Sequence, residues 1–430
     1  MRYSSLVSRI TPAATDAAGD PPDGPWEVHE LALARRAAGE DITLLSIGQE
    51  ADERTAGEVV DAAVASLRNG RHHYADVRGE APLRESIARY HERLVGERVD
   101  PDTVTVFAGA QNALFACAQT LLEAGDEAIL IAPYYTTYPA TFAASGATLV
   151  EVATDARDGH RIDAEAVARA MTPRTRVLVL NVPGNPVGRS PDADTLARLV
   201  ALCVEREVWL VLDAVYLDVV AADSVPSPHA LPGAKEVLVT VGSLSKSHRM
   251  SGWRIGWTIA PPALATHFAN LSMCMHYGLA PFVMDAARVA LDGGAGTPRL
   301  VREALAARRA LARAALGDVA PARLIDSGHG MFMLLDVDPL GIDARRFALD
   351  LLERHAVAVL PCGGFGPGGR TLVRIGLCVD GERLTDACRA VSAAVEDSLR
   401  PGTHPSDRRA CIAGADETGS SARASPARSR

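Results

Sequence analysis

The chain has 430 residues, of which 48% are hydrophobic and 23% charged, so it is long enough for two domains around a large core. Its formal charge of -9 argues against a nucleic-acid-binding protein, because such a protein needs a concentrated basic face. No apolar run approaches the roughly 18 residues that span a bilayer, and residues 1–10 lack the apolar core of a secretory signal.

The seven cysteines are scattered along the chain without C-x-x-C spacing. This distribution indicates neither a metal site nor a disulfide framework, so we expect the protein to occupy the reducing cytoplasm.

Residues 11–25 contain enough proline, glycine and aspartate to exclude regular structure. Residues 1–25 are therefore predicted to form an N-terminal arm.

Helical patterns come next, at about 26–38, 56–69 and 81–95. From residue 103, short apolar runs alternate with helix-length segments. These runs are Val104–Phe107, Ala128–Ile131, Ala147–Val152, Arg176–Asn181, Val208–Asp213, Glu236–Val241 and Arg254–Ile259. The pattern is typical of a mainly parallel sheet covered by helices on both faces, and it predicts a large doubly wound domain.

A smaller α/β unit is predicted after residue 279. Its strands are expected at Met331–Val337 and Val357–Leu360, and its last helix at Glu382–Leu399. We expect a small domain made from residues 26–48 and 286–399, and a large domain at 49–285. Residues 400–430 are rich in Ser, Ala, Arg, Pro and Gly without periodicity and are predicted to be disordered.

One lysine lies in a distinctive turn after a predicted strand. In the stretch 243–254, Lys246 lies close in sequence to Ser243, Ser245 and Arg254. A lysine amine can bind the aldehyde of pyridoxal 5'-phosphate (PLP) covalently, while hydroxyls and an arginine can bind its phosphate. The alternative for such a motif alone is a solvated lysine on a surface loop.

Four other stretches could complete a cofactor site. Residues 181–188 form a turn rich in proline and glycine that can present Asn185. Asp213 ends an apolar run, where it could pair with a pyridinium nitrogen or cap a helix. The backbone N–H groups after Gly109 begin a predicted helix and could bind phosphate. The tyrosines of 134–138 could stack on a planar ring or pack in the core.

In sequence order, these motifs resemble the class I/II aminotransferases of PLP fold type I, the aspartate aminotransferase family. The chain contains N-x-P-x-N-P-x-G, then D-x-x-Y, then S-x-S-K followed by G-x-R, and the resemblance covers roughly residues 26–398. It implies PLP as the cofactor and fold type I. That fold has a mainly parallel seven-stranded sheet in a large domain and a smaller α/β domain.

The resemblance also implies roles for individual residues. Lys246 would bind PLP and move a proton between the substrate and the cofactor. Asp213 would bind the ring nitrogen, Asn185 and Tyr216 the ring hydroxyl oxygen, and Tyr135 would stack on the ring.

The remaining implied contacts involve the phosphate, the substrate and a second subunit. The phosphate would be held by Ser243, Ser245, Arg254, Ala110 and Gln111. Arg374 would bind the substrate α-carboxylate, and Gly48 would lie in the loop that covers the substrate. Tyr74 would reach the phosphate of a neighbouring subunit, which implies a homodimer.

Four short stretches resemble the arginine–pyruvate aminotransferases within this family: residues 1–4, 73–79, 243–248 and 274–278. The predicted reaction transfers an amino group from an amino acid, with arginine or a related basic one as the candidate donor, to a 2-oxo acid such as pyruvate.

The chain departs from the family pattern in the loop after Gly48, where two usual prolines are absent and Glu50, Asp52 and Glu53 occur. These acids could bind a cationic side chain or remain solvated. The altered loop keeps open an elimination, a decarboxylation-linked oxidative deamination or a cyclisation. A non-catalytic binding protein is a third hypothesis, disfavoured because every chemical position is occupied.

Overall fold

The computed structural model describes residues 4–10, 24, 26–49, 54–220, 225–294 and 296–399. The predicted tail at 400–430, most of the predicted arm, and Glu50, Asp52 and Glu53 lie outside these residues. Numbered along the chain, the helices are α1 (Ser5–Ile10), α2 (Glu27–Ala37), α3 (Gly57–Arg68), α4 (Ala81–Val95), α5 (Ala110–Leu121), α6 (Tyr138–Ala143), α7 (Ala164–Ala170), α8 (Ala193–Glu205), α9 (Ala234–Val237), α10 (Pro262–Met275), α11 (Pro281–Asp292), α12 (Gly296–Leu316), α13 (Ala344–His355) and α14 (Gly381–Ser398).

The strands form three sheets. In chain order they are β1 (Thr43–Leu44), β2 (Val104–Phe107), β3 (Glu127–Ala132), β4 (Thr148–Ala153), β5 (Thr175–Asn181), β6 (Trp209–Asp213), β7 (Leu238–Ser243), β8 (Gly256–Ile259), β9 (Arg323–Ile325), β10 (Phe332–Asp336), β11 (Val357–Ala358), β12 (Leu360–Pro361) and β13 (Leu372–Gly376). The largest sheet has seven strands in the order β2-β8-β7-β6-β5-β3-β4. Only β8 runs antiparallel to its neighbours in this sheet, so the predicted mainly parallel seven-stranded sheet is confirmed.

The large sheet is covered on both faces because alternate residues of each strand point to opposite sides. In β5, Val177 and Val179 pack in one apolar cluster with α5 and α10. Leu178 and Leu180 pack in another cluster with α7 and α8. Helices on both faces explain why these strands read as continuous apolar runs.

A second core lies in the smaller part of the molecule. An antiparallel sheet with the order β12-β13-β10-β9 shares an apolar cluster with α12, α13 and α14. The N-terminal stretch joins this part because β1 pairs in parallel with β11, placing Thr43 opposite Val357. The chain therefore returns to its beginning to complete the smaller unit.

Several predicted boundaries differ from the structure. The strand predicted at Glu236–Val241 begins only at Leu238, because Ala234–Val237 forms a helical turn. The strand predicted at Val357–Leu360 is two strands with different partners, since β11 pairs with β1 and β12 with β13. Strands β1, β9 and β13 have no counterpart among the predicted strands.

The domain boundary predicted at residue 285 falls inside helix α11. Its buried residues, including Met284 and Leu291, share a cluster with α3 and α4 of the large unit. We therefore propose that the large domain continues to the end of α11. Within the described part of the chain, no helix is both long and apolar enough to cross a membrane.

Candidate active site

Lys246 lies just beyond the carboxyl end of β7, in the turn that leads to β8. Its Nζ donates a hydrogen bond of 2.7 Å to the carbonyl of Gly48. Burial lowers the pKa of Lys246, and Arg374 and Arg254 lower it further, whereas Cys378 acts in the opposite direction. A lysine in this environment loses its proton more easily than a solvated one, which a reactive amine requires.

Asp213 is the last residue of β6 and is 4% exposed. Its Oδ2 accepts a hydrogen bond of 2.5 Å from the hydroxyl of Tyr138, and its Oδ1 accepts one of 3.3 Å from the N–H of Val215. Burial raises the pKa of Asp213 to about 6, against the hydrogen bonds and the charge of Lys246. Asp213 does not cap a helix, since the short 3-10 turn that follows begins at Leu217 and has Tyr216 at its N-cap position.

Asn185 connects two other side chains of the site. Its Nδ2 donates to the hydroxyl of Tyr216 at 3.2 Å, and its Oδ1 accepts from Nη1 of Arg374 at 2.9 Å. The turn that carries it is fixed by Asn181, whose Oδ1 accepts the Asn185 N–H at 2.7 Å. The side chain is 3% exposed and therefore held in one orientation.

Near the start of α5, glycines allow neighbouring groups of the site to lie very close to the backbone. Helix α5 begins at Ala110 without a side-chain cap, so no capping side chain occupies its first N–H groups, and Ala110 and Gln111 line a cavity. A Cβ on Gly109 would lie 2.3 Å from Nη2 of Arg254, and one on Gly256 would lie 2.6 Å from the backbone N of Ala110. Only glycine allows the arginine and the helix terminus to converge here.

Two hydroxyls join this end of the site. The Oγ of Ser243 lies 2.8 Å from the Oγ of Ser245 and accepts the Ser245 N–H at 3.0 Å. Together with Arg254 and the N-terminus of α5, they form a group of donors suited to a dianion.

Arg374 lies in the middle of β13 and is only 2% exposed. Its guanidinium carbon lies 4.0 Å from the ring centroid of Phe332 and 5.5 Å from that of Phe365. Its Nη2 donates to the carbonyl of Ser46 at 2.8 Å, whereas its Nε has no hydrogen-bond partner among the described residues. A buried cation with an unused donor is prepared to bind an anion.

These elements surround a cavity of about 200 Å³, and ten of the thirteen predicted site residues line it. The lining residues are Ala110, Gln111, Leu114, Tyr135, Asn181, Asn185, Asp213, Val215, Tyr216, Ser243, Ser245, Lys246, Ser251 and Arg254. Gly48 and Arg374 contact this lining through Lys246 and Asn185. Tyr74 lies elsewhere on the same chain, 87% exposed, with its ring centroid 5.1 Å from that of Tyr277.

Comparison with known proteins assigns the chain to a family. The family model described as "Aminotransferase class I and II" matches residues 40–391. The chain is a class I/II aminotransferase. The aminotransferase is 43% identical to arginine–pyruvate transaminase AruH of Pseudomonas aeruginosa, over 93% of this chain and 99% of that protein. It is 33% identical to the aspartate/prephenate aminotransferase of Thermus thermophilus, over 89% of this chain and 96% of that one.

Solved structures agree with the aminotransferase fold. The aspartate aminotransferase of Thermus thermophilus with maleate superimposes with a TM-score of 0.83 at 31% identity, covering 92% of this chain and 100% of that chain. The N-succinyldiaminopimelate aminotransferase of Mycobacterium tuberculosis gives 0.81 at 30%, covering 91% of this chain and all of that one. The predicted family and fold type I are confirmed, as is amino transfer; the alternative outcomes are not favoured.

The cofactor of this aminotransferase family is PLP, and the cavity fits it chemically. Gly109 and Gly256 allow Arg254 and the start of α5 to approach each other, and with Ser243 and Ser245 these groups provide the donors that a phosphate needs. The middle of the cavity offers a buried carboxylate on Asp213 for the ring nitrogen, and the Lys246 amine lies on the same cavity.

The sequence predicts for Tyr138 only ring stacking or core packing, and not its hydrogen bond to Asp213. It predicts no role for Ser46 or Phe332, because their contacts with Arg374 depend on tertiary packing.

Proposed function

We propose that this aminotransferase uses arginine or a related basic amino acid as its donor and pyruvate or a similar 2-oxo acid as its acceptor. The support is the 43% identity, over almost the whole of both chains, to a protein named arginine–pyruvate transaminase. Glu50, Asp52 and Glu53 are the acids we propose to bind the distal cation of the donor; they lie outside the described residues.

The proposed site roles follow the chemistry of each group. PLP supplies an electron sink that makes the α-hydrogen of a bound amino acid acidic. We assign Lys246 Nζ to the covalent attachment of PLP and to moving that proton, and Asp213 to holding a proton on the ring nitrogen. Asn185 and Tyr216 would bind the ring hydroxyl oxygen, and the face of Tyr135 would support the ring.

At the phosphate end, the proposed ligands are Ser243, Ser245, Arg254 and the N–H groups of Ala110 and Gln111. Their donors converge where α5 and the turn after β7 meet. A dianion there would also be favoured by the positive end of the α5 dipole.

The environment of Arg374 is the observation that supports an amino-acid substrate most directly. Its buried guanidinium keeps Nε free of partners among the described residues, while Asn185 and Ser46 fix its plane. The planar fork matches a carboxylate, which would receive two parallel hydrogen bonds. We propose that Arg374 binds the α-carboxylate, with Gly48 beside it in the loop that covers the substrate.

We also propose a cytoplasmic homodimer. Exposed Tyr74, Met273 and Tyr277 support a protein surface that is buried in a larger assembly, since large apolar side chains of this kind mark interfaces. The six cysteines within the described part of the chain carry free thiols, which suits a reducing compartment.

Substrate preference is tested by measuring kcat/KM for arginine, alanine and methionine in wild type and in Glu50→Gln, Asp52→Asn and Glu53→Gln. Losing one desolvated charge-assisted contact should lower kcat/KM for arginine about ten- to a hundredfold and leave the neutral substrates unchanged. Glu58→Gln, on the exposed first turn of α3, is the control. An equal fall in kcat/KM for all three substrates would contradict the proposal that this loop binds the side chain of the donor.

The attachment of the cofactor is tested by borohydride reduction of the holoenzyme followed by peptide mass spectrometry. We expect the mass of reduced PLP on the peptide that contains Lys246. In Lys246→Ala the label should disappear and turnover should be lost, because no other amine lines the cavity in the described chain. A label on a different lysine, or full activity in this variant, would contradict the assignment.

A further inference from the structure

A short segment between β1 and α3 contacts both functional cations of the site. The carbonyl of Ser46 accepts from Nη2 of Arg374 at 2.8 Å, and the carbonyl of Gly48 accepts from Nζ of Lys246 at 2.7 Å. Its beginning is fixed by backbone pairing, since the N–H of Leu45 donates to the carbonyl of Ala358 at 2.7 Å. The position of this segment therefore affects the groups proposed to bind substrate and cofactor.

The side chain of Ser46 connects the segment to α2. Ser46 is completely buried, and its Oγ lies in hydrogen-bond contact with Nδ1 of His29, 2.8 Å away. The His29 ring is in turn packed edge-on against Trp26, with 5.7 Å between ring centroids. A buried hydroxyl without a partner is costly, so the His29 contact favours one Ser46 rotamer and ties the segment to α2 at the residue whose carbonyl binds Arg374.

We propose that His29 is a positioning residue that holds Ser46–Gly48 against Arg374 and Lys246 and thereby sets the affinity for the substrate carboxylate. This inference rests on the proposed function, because it takes Arg374 as the carboxylate ligand. His29 acts through Ser46 and belongs to α2, a helix outside the large PLP-binding domain. Helix α2 thus contributes to the substrate site, although it supplies no residue to the cavity lining.

The test compares His29→Ala, His29→Asn and His29→Gln in the holoenzyme. The Asn amide places a polar atom where Nδ1 of histidine lies, whereas Gln places it near Nε2. Loss of one hydrogen bond should raise KM for the amino donor about three- to tenfold in His29→Ala and His29→Gln, with kcat within twofold. His29→Asn should restore KM. His267→Ala, at an exposed position on α10, is the control and should leave both constants unchanged.

Ser46→Ala provides an independent measurement if His29→Ala folds poorly. It removes the hydroxyl and leaves the partly buried imidazole free to turn to water. The double variant should show no further increase in KM beyond either single variant, because both remove the same contact. Additive effects, a fall in kcat alone, or failure of Asn to restore KM would overturn the proposal.

Arg374→Leu separates this inference from the proposed function. If its KM for amino donors is unchanged, the carboxylate assignment fails and the role of His29 fails with it. If Arg374→Leu loses substrate affinity while the His29 variants keep wild-type KM, only the positioning role is wrong. Most of the proposed PLP ligands lie outside this segment, so PLP binding, followed by its visible absorption, should be unchanged in the His29 variants. Loss of PLP binding in these variants would overturn a role of His29 that is specific to the substrate carboxylate.

Discussion

At the scale of one residue, the proposed role of Asp213 is opposed to the stability of the fold. Its carboxylate is buried, and burial raises its pKa to about 6 from an ordinary value of 3.8. The folded protein therefore holds a proton on this group between pH 4 and 6 that the unfolded chain releases. Stability falls as pH rises through this interval, and above pH 6 the buried charge costs about 3 kcal/mol.

Replacing Asp213 by asparagine should therefore stabilise the cofactor-free protein while impairing catalysis. We expect cofactor-free Asp213→Asn to unfold at a higher temperature than wild type at pH 7–8, and the difference to shrink toward pH 4. Activity should be largely lost, since an amide cannot hold a proton on the ring nitrogen. Asp285→Asn is the contrasting variant. Although burial raises the pKa of Asp285, hydrogen bonds from Arg71 and Ser66 lower it overall, so this substitution should destabilise at pH 7.

At the scale of elements, two loops from different parts of the chain pack against each other behind Asn185. Gly188 has φ +74°, and a Cβ there would lie 2.4 Å from Oγ of Ser327 and 3.1 Å from the carbonyl of His329. The opposing loop is held by buried Arg309 of α12, whose Nη2 donates to the carbonyl of Gly330 at 2.8 Å. The turn that presents Asn185 is therefore braced from the smaller unit.

Gly188→Ala should disturb this bracing. We expect the free energy of unfolding to fall by about 2–4 kcal/mol, because the backbone is strained and the opposing loop is displaced. We also expect KM for the amino donor to rise, because Asn185 moves away from Arg374. Gly341→Ala is the matched control. That residue also has positive φ, +70°, but open space around its missing Cβ. The free energy of unfolding of Gly341→Ala, measured with denaturant, should fall by only about 1–2 kcal/mol. Its steady-state kcat and KM should equal those of wild type.

Helices, strands and site residues could be predicted from the sequence where neighbouring residues form a recognisable pattern. Apolar runs and helix periodicity predicted the seven-stranded sheet, because its strands are buried on both faces. The ordered motifs around Lys246 and Asp213 predicted much of the cavity. Contacts such as that of Tyr138 with Asp213, or Phe332 with Arg374, join residues far apart in the chain, and no local pattern encodes them. Strand β9 is three residues long, too short to show a periodicity.

At the scale of the whole molecule, the exposed Tyr74 is the residue on which the proposed dimer depends. Its side chain is 87% exposed and contacts Tyr277, yet the family resemblance gives it a phosphate to bind. On the proposed dimer, each cavity would receive this tyrosine from the neighbouring subunit. In that arrangement, each active site would need residues from both subunits.

Subunit mixing tests this sharing. Lys246→Ala and Tyr74→Ala homodimers should each have little activity. After equal amounts are unfolded, mixed and refolded together, random pairing makes half of the dimers hybrids, and each hybrid has one intact site. About a quarter of wild-type activity should therefore return. Refolding each variant alone is the control. Activity that stays at the level of the separate variants would mean that Tyr74 serves its own chain or no site at all.

The origin of Arg374 in the smaller sheet has an evolutionary consequence. On the proposed assignments, the groups that hold PLP come from loops of the large sheet, whereas Arg374 comes from β13 and packs on Phe332 of β10. Asn185 belongs to both sets, because it contacts Tyr216 and Arg374. We therefore expect amino-acid preference to evolve most readily through positions around Arg374 that contact neither Asn185 nor Ser46–Gly48, because such changes leave the PLP-binding groups in place.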